Sequence, residues 1–585
     1  MIEGEATQQQ DLVGRIAELE ASLVGAQTSL VSARASLVSA QATIAEVTVE
    51  RDKLRHAYKA LKEQYELLRR QIYAARAERI DATKLEAEFA ETKKELDALV
   101  NALGEQPSDA PEAPPQTPPP PPAGPPAKPK RNHKPKGRRD LKAEDIPVVR
   151  IEILDPAFEG IFERIRFEES SHYGHRRAGP VRVVVARAIY KMPSPSTKGP
   201  TFELITAAKP EELFKRGLLA PSMIAHVVVQ KYRWGLPFHR LSRMLALDGI
   251  KLDDGLMCRY AEDLGATAGC IVAAMAKDAM ENAFCLSTDA TGVCIQPVPL
   301  PSGQRQACRK GHFFVVLADQ DHIFFEFQPK HTSAAVCGMF RGFSGYIQAD
   351  AHAIYDSIFR GEARTCPDQE LPKEVGCWAH CRRKFWDAMT ITKNVATREA
   401  VFRMKAVFDL EEQWASLPPS QRHAQRQLVA RPLLDNFFAW VTEQYALVQD
   451  TRGLVATAFG YAVRQEGPLR CFLEDGRLVM TNNHSERALR GPIASGRKAW
   501  LFFGSDDHAT AAANLFSLIV SCELHRLDPE LYLAEIIHVL PYWPRDRYLE
   551  LAPKYWAATR ARLNPKELAV EYGTITVPPL ASSEK

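Results

Sequence analysis

Two aspartates stand in stretches where burial should exclude them. Asp289 lies inside the strand-like run FCLSTDATGVCIQ, and Asp350 closes the run GYIQAD, just after Tyr346 and Ile347. A lone carboxylate in apolar surroundings is costly, so such residues usually have a partner, often a metal ion. Two-metal phosphoryl transfer needs several carboxylates converging on cations about 3.5–4 Å apart. The third acid is expected on a later helix. In TNNHSERALRGPIASGRKAWLFFGS, Asn482 or Asn483 can cap a helix whose first turn presents Glu486, flanked by Arg487 and Arg490. Asp289, Asp350 and Glu486 are therefore the candidate catalytic and metal-binding residues.

Other groups compete for the same chemistry. Asp319 and Asp321 fall in a strand–strand turn, where exposed aspartates are ordinary, and Asp356 follows Asp350 on a short helix. Cys377, His380 and Cys381 have a ligand-like spacing, but their only conceivable partners are Cys308 and His312, so buried thiols are the simpler reading. His380, Arg382, Arg383 and Lys384, together with Arg487, Arg490, Arg497 and Lys498, are candidate phosphate contacts beside the acids. A glycine-rich phosphate loop and a Ser-His-Asp arrangement are both lacking.

The elements that must position these residues follow from periodicity. The run around Asp289, then GHFFVVLADQ and DHIFFEFQP, reads as an antiparallel meander. Next come a helix (HTSAAVCGMF), a strand (GYIQAD), a helix (AHAIYDSIF), a strand (EVGCWAHC) and the helix RRKFWDAM. That order belongs to a ribonuclease H-like α/β fold. It occupies residues 281–389 and 476–530, interrupted by a helical insertion at 390–475 and followed by a C-terminal helical tail at 531–585.

Upstream the chain changes character. Apolar residues recur at heptad spacing from Ile16 to Ile72, with only Arg51 out of place, which predicts an α-helical coiled coil over 1–103. Thr83 to Leu103 continues that helix or folds back on it. Residues 104–139 form a proline-rich linker whose second half, including Lys128, Lys130 and Arg131, is basic enough to attract phosphate backbones. Residues 140–205 suggest a small β-rich module (VVRIEIL, VRVVVARAIYKM). Residues 206–280 are helical, and a turn at Asp248-Gly249 is compatible with a helix-turn-helix of the kind that enters a major groove.

Composition sets the outer limits. The chain has 585 residues, 45% hydrophobic and 25% charged, with a net charge of +3 and a mean hydropathy of −0.26. These values describe an ordinary multidomain protein and exclude a collagen, a fully disordered chain or a disulfide scaffold. Eleven cysteines, an odd number confined to the chain from Cys258 onward, fit reduced thiols and a cytoplasmic location. Neither a signal peptide nor an apolar run long enough to span a membrane is evident.

At this point the chain resembles the transposases of the insertion-sequence 66 family, members of the DDE group with a ribonuclease H-like core. The resemblance rests on STDATGV around Asp289, IQADAHAIYD around Asp350, GCWAHCRRKF from Gly376 to Phe385, and NNHSERALR around Glu486. GRKAWLFFGS, LHRLDPELYLAEIIHVLP, LLAPSMIAHVVVQKYRWGLPFHRLSRML and LLRRQIYAARAERI extend it through most of the chain. It implies that Asp289, Asp350 and Glu486 form a DDE triad holding two Mg²⁺ (or Mn²⁺) ions. It further implies cleavage at element ends, strand transfer into target DNA, homo-oligomerisation through the coiled coil, and accessory proteins of the element as partners. Two departures stand out. Family members commonly carry two cysteine pairs, resembling a zinc ribbon, between linker and helical region, whereas 140–205 has no cysteine, so no zinc is expected. Ala290 stands where a second acid is often found, leaving the triad intact. The alternatives are a non-catalytic DNA-binding or accessory protein with a decayed core, and a coiled-coil scaffold, which accounts for residues 1–103 alone.

Overall fold

The computed structural model describes residues 2–77, 83–103, 146–176, 179–194, 201–297, 306–489, 493, 495–500 and 502–580. The basic linker with Lys128, Lys130 and Arg131 lies outside the described residues, as does Arg490. So do the side chains of Arg497 and Lys498.

The heptad stretch is one helix, α1 (Ile2–Ala77), and α2 (Thr83–Leu103) folds back against its end instead of prolonging it. Tyr65 stacks on Phe89 at 4.5 Å between ring centroids, and Tyr65 and Leu68 are buried there. Further up the seam, Leu23, Leu30, Leu37, Ile44 and Val47 are 54–65% exposed. The foot of α1 meets the rest of the chain where Glu63 accepts the backbone N–H of Leu454 at 3.2 Å.

The expected β-rich module contains four strands, β1 (Val148–Ile153), β2 (Glu163–Arg176), β3 (Gly179–Ser194) and β4 (Thr201–Thr206). β3 is the hub, parallel to β1 and antiparallel to β2 and β4. Three helices follow: α3 (Pro221–Tyr232), α4 (Phe238–Leu247) and α5 (Asp254–Asn282). The turn between α4 and α5 needs a left-handed residue, supplied by Gly249 at φ +82°. Asp253 then caps α5 by accepting from Gly255 and Leu256. The apolar face of α5, from Met257 to Ala279, joins the same buried cluster as the sheet described next.

That sheet has five strands: β5 (Cys285–Ile295), β6 (Arg309–Ala318), β7 (His322–Gln328), β8 (Tyr346–Ala349) and β9 (Lys373–Gly376). Their spatial order is β7-β6-β5-β8-β9. The first three pair antiparallel, while β8 and β9 run parallel to β5. Helices α6 (Ser333–Met339) and α7 (Asp356–Phe359) lie in the crossovers, and α8 (Trp378–Thr392) leaves β9. Parallel strands cannot be joined by tight turns, so the two helical crossovers are what carry the chain back for each new strand.

Five helices interrupt the α/β unit: α9 (Val395–Gln413), α10 (Pro419–Gln425), α11 (Arg431–Val448), α12 (Leu454–Arg464) and α13 (Glu466–Arg470). Their core is organised around Arg426, which is 1% exposed. Its guanidinium donates to both oxygens of Glu411 and to the carbonyls of Phe472, Asp475 and Leu478, at 2.6–2.9 Å. The chain returns through α14 (Asn483–Leu489), α15 (Ser495–Trp500) and α16 (Asp506–Leu524), then α17 (Pro529–Val539), α18 (Pro553–Arg562) and α19 (Pro565–Leu568). The hydroxyls of Ser517 and Ser521 on α16 accept the N–H groups of Phe325 and Ile323, so the outer edge of β7 is satisfied and covered. Gly265 of α5 abuts the Ala511 carbonyl of α16 so closely that a Cβ has no room. Among the described residues, no helix is long and apolar enough to cross a membrane.

Candidate active site

Asp289 is at the middle of β5, paired across the ladder with Val315 of β6. Asp350 is the residue directly after β8. The parallel register runs Cys285↔Tyr346, Leu286↔Ile347, Ser287↔Gln348. Extending it by two residues sets Asp289 level with Asp350 on the neighbouring strand, one strand spacing (about 4.8 Å) away and on the same face. Tyr355, buried beside both, reports the crowding. Burial pushes its phenol well above the usual range, and the charges of Asp350 and Asp289 push in the same direction. Asp289 turns one oxygen back on the N–H of Ala290 at 2.8 Å. The Asp350 side chain makes no hydrogen bond or ion pair with the described residues.

Glu486 is presented from α14, whose start Asn482 fixes, and the three acids are not drawn together to within 4.8 Å of one another. The Asn482 carbonyl accepts from Ser485 and Glu486, opening the first turn. The sequence predicts a side-chain cap here, from Asn482 or Asn483. Instead the Asn482 amide is buried, donating to the Thr288 carbonyl at 3.4 Å and accepting from the Cys377 thiol at 3.0 Å. One side chain thus ties α14 both to the residue before Asp289 and to the end of β9. Glu486 then lies 3.7 Å from Nε2 of His380 on α8.

The expected phosphate contacts divide accordingly. His380 faces an acid of the site, with its Nδ1 buried and lacking a hydrogen bond. Arg382 packs over Phe408, while Arg383 and Lys384 are exposed on α8 and Arg487 on α14. The rival acids are placed elsewhere. Asp319 caps the start of β5, accepting from Phe284 and Cys285 at 2.8 and 3.0 Å, and Asp321 pairs with Lys554 at 2.8 Å. Asp356 opens α7, where its charge adds to the burial that lifts Glu374 to about 7. Cys377 and Cys381 are buried thiols, with burial pushing both upward.

Three histidines line the approach to Asp350, of which the sequence singles out His312 alone, and only as a conceivable partner of the Cys377 cluster. His331 stacks on His312 at 4.9 Å and meets His352 edge-on at 4.9 Å. Burial, then the neighbouring His312 and His352, lowers the pKa of His331, while Asp350 works the other way. His352 sits two residues from Asp350 and was visible in the sequence, but His312 and His331 arrive from β6 and the loop after β7.

The family model described as Transposase IS66 family matches residues 216–511, just over half of the chain. The chain belongs to the IS66 transposase family. Asp289, Asp350 and Glu486 all fall inside the matched span. A second model, described as Transposase C of IS166 homeodomain, matches residues 60–151. Among curated proteins, the chain is similar to the uncharacterized protein y4hP of Sinorhizobium fredii (strain NBRC 101917 / NGR234), 29% identical over 367 residues, covering 59% of this chain and 64% of the relative. It is also similar to y4qI of the same strain, 24% identical over 358 residues, covering 60% and 65%. The chain therefore spans slightly less than two thirds of the length of these relatives. Family membership supports a transposase role.

Proposed function

We propose that the protein is a DDE-type transposase with a ribonuclease H-like core, cutting DNA at the ends of its element and joining those ends to target DNA. The observation that carries this is the β5–β8 register, which levels Asp289 with Asp350 while Asn482 moors the Glu486 helix one residue from Asp289. The antiparallel trio β7-β6-β5, extended by the parallel pair β8 and β9, supports the core assignment.

The donor set fits hard divalent cations. Three carboxylates, an all-oxygen set with no sulfur, suit Mg²⁺ or Mn²⁺ rather than zinc. Asp289, Asp350 and Glu486 would hold two such ions. The chemistry that pair supplies is charge neutralisation around an in-line displacement at phosphorus. The chain's own part is positioning. The strands fix the two aspartates, Asn482 fixes α14, and His380 keeps the Glu486 carboxylate turned inward. Arg383, Lys384, Arg487, Arg490, Arg497, Lys498 and the basic linker hold phosphates of the bound DNA, which fixes its register without reading its sequence. The α1 seam pairs two protomers, as joining two DNA ends requires, and the protein works in the cytoplasm.

The test is a nicking and strand-transfer assay on a plasmid carrying the coding segment with its flanking ends, in Mg²⁺. Asp289→Asn, Asp350→Asn and Glu486→Gln should each lower the rate by ~10²–10³-fold, as loss of one preorganised electrostatic contact does, with DNA binding retained. Activity surviving in all three variants sinks the triad. DNA binding with no cleavage by the unaltered chain favours a non-catalytic accessory role.

A further inference from the structure

We propose that His175, His226 and Glu530 form a second divalent-cation site, of zinc-binding chemistry, that clamps the β-rich module to α3 and α17. Among the described residues, these three are the only group of three or more His, Cys, Asp and Glu side chains whose ligand atoms converge, all within 4.8 Å of one another. His175 Nδ1 lies 3.0 Å from Glu530 Oε1, and His226 Nδ1 lies 3.2 Å from each Glu530 oxygen. In a tetrahedral zinc site with bonds of about 2.05 Å, neighbouring ligand atoms are about 3.3 Å apart. The nitrogen–oxygen edges are therefore already close to the right length.

The backbone holds each donor in place. His175 is the penultimate residue of β2, where its N–H donates to Ser222 Oγ in the first turn of α3 at 2.8 Å. His226 is one turn further along α3. Glu530 sits in the first turn of α17, whose N-cap Asp528 accepts the Glu530 N–H at 3.0 Å. The His175, His226 and Glu530 side chains are 14%, 14% and 33% exposed, so the donors are sheltered but water can reach the carboxylate. A cavity of about 600 Å³ lined by Val229, Arg233, Trp234, Asp528 and Glu530 borders the trio on its carboxylate side. Two imidazoles with one carboxylate is a borderline donor set that zinc accepts and magnesium does not favour.

Without an ion the same atoms form hydrogen bonds, with the two rings stacked 3.6 Å apart at 19°. Coordination requires both Nδ1 lone pairs, so each ring carries its proton on Nε2 and the rings rotate out of the stack. Module, α3 and α17 then share one ion instead of one carboxylate.

The experiment uses the full chain with Mg²⁺ present, to occupy the acid site, and Zn²⁺ added and dialysed. The expected result is one zinc retained per chain, and tetrahedral d–d bands when Co²⁺ replaces it. Asp350→Asn should keep the zinc, separating this site from the triad. His226→Ala and the near-isosteric Glu530→Gln should lose both zinc and the Co²⁺ bands while circular dichroism shows a native fold. No retained zinc in the unaltered chain, or equal retention in the folded Glu530→Gln variant, overturns the proposal and leaves the trio a hydrogen-bonded ion pair.

Discussion

Glu530 and Asp350 are carboxylates treated in opposite ways. Burial opposes the charge of Glu530, but hydrogen bonds from His175 and His226 outweigh it and hold its pKa down at about 2. Asp350 stands one strand from Asp289 and takes no hydrogen bond or ion pair from the described residues. The first carboxylate is satisfied by the chain itself, whereas the second is left to solvent or to an added ligand. Arg426 sides with Glu530, with every donor direction occupied. The upper α1 seam sides with Asp350, because Leu23, Leu30 and Leu37 find no cover within one chain. Groups that the fold leaves incomplete are where binding is to be sought, since incompleteness costs stability that function must justify.

That contrast can be tested from its strongest case downward. Arg426→Ala strands the Glu411 carboxylate and three carbonyls, so urea unfolding should show a loss of about 3–5 kcal/mol, the range for breaking a buried ion pair from one side. A loss below 1 kcal/mol would mean that water replaces the guanidinium. Leu30→Asp with Leu37→Asp leaves the monomer fold untouched but puts charge into the seam. Sedimentation should then show smaller species, by a shift of ~10²-fold or more in the association constant. Unchanged sedimentation removes the seam as the pairing surface.

The smaller effects concern the two carboxylates directly. With its folded pKa at about 2 against an ordinary 4.5, Glu530 contributes stability above pH 4.5 that is lost as pH falls towards 2. Glu530→Gln should therefore be less stable at neutral pH in metal-free buffer and flatter across that acid window, as followed by circular dichroism. An acid limb as steep as that of the unaltered chain would show that the pairing contributes nothing. Asp350→Asn removes like-charge repulsion with Asp289, so the metal-free chain should gain about 0.5–1 kcal/mol. Adding Mg²⁺ should narrow the gap by stabilising only the unaltered protein.

How far the sequence reaches differs between these sites. Asp289 in mid-strand, Asp350 at a strand end and Glu486 in a helical first turn were all legible, because each follows from local periodicity and capping. The helical return of α2 was open in the sequence, where an amphipathic stretch has no direction, and the Tyr65–Phe89 stack resolves it. The bridging role of Asn482 was not legible, since an asparagine before a helix looks like a cap whatever its amide touches. His380 read as a phosphate contact, and its position beside Glu486 was not legible. The expectation of no zinc came from the missing cysteines of 140–205. The proposed His175–His226–Glu530 site would revise it, with ligands spread over three elements.

The sequence by itself determined the order of strands and helices, the acids they carry and the family, because hydrophobic periodicity and motif are written within a few residues of each other. Only the tertiary structure decided which side chains meet. The β5–β8 register brings together acids 61 positions apart, and Glu530 meets a histidine 355 positions away. Those distances are set by how crossovers and helices pack, and packing energy is shared among residues that no local pattern links.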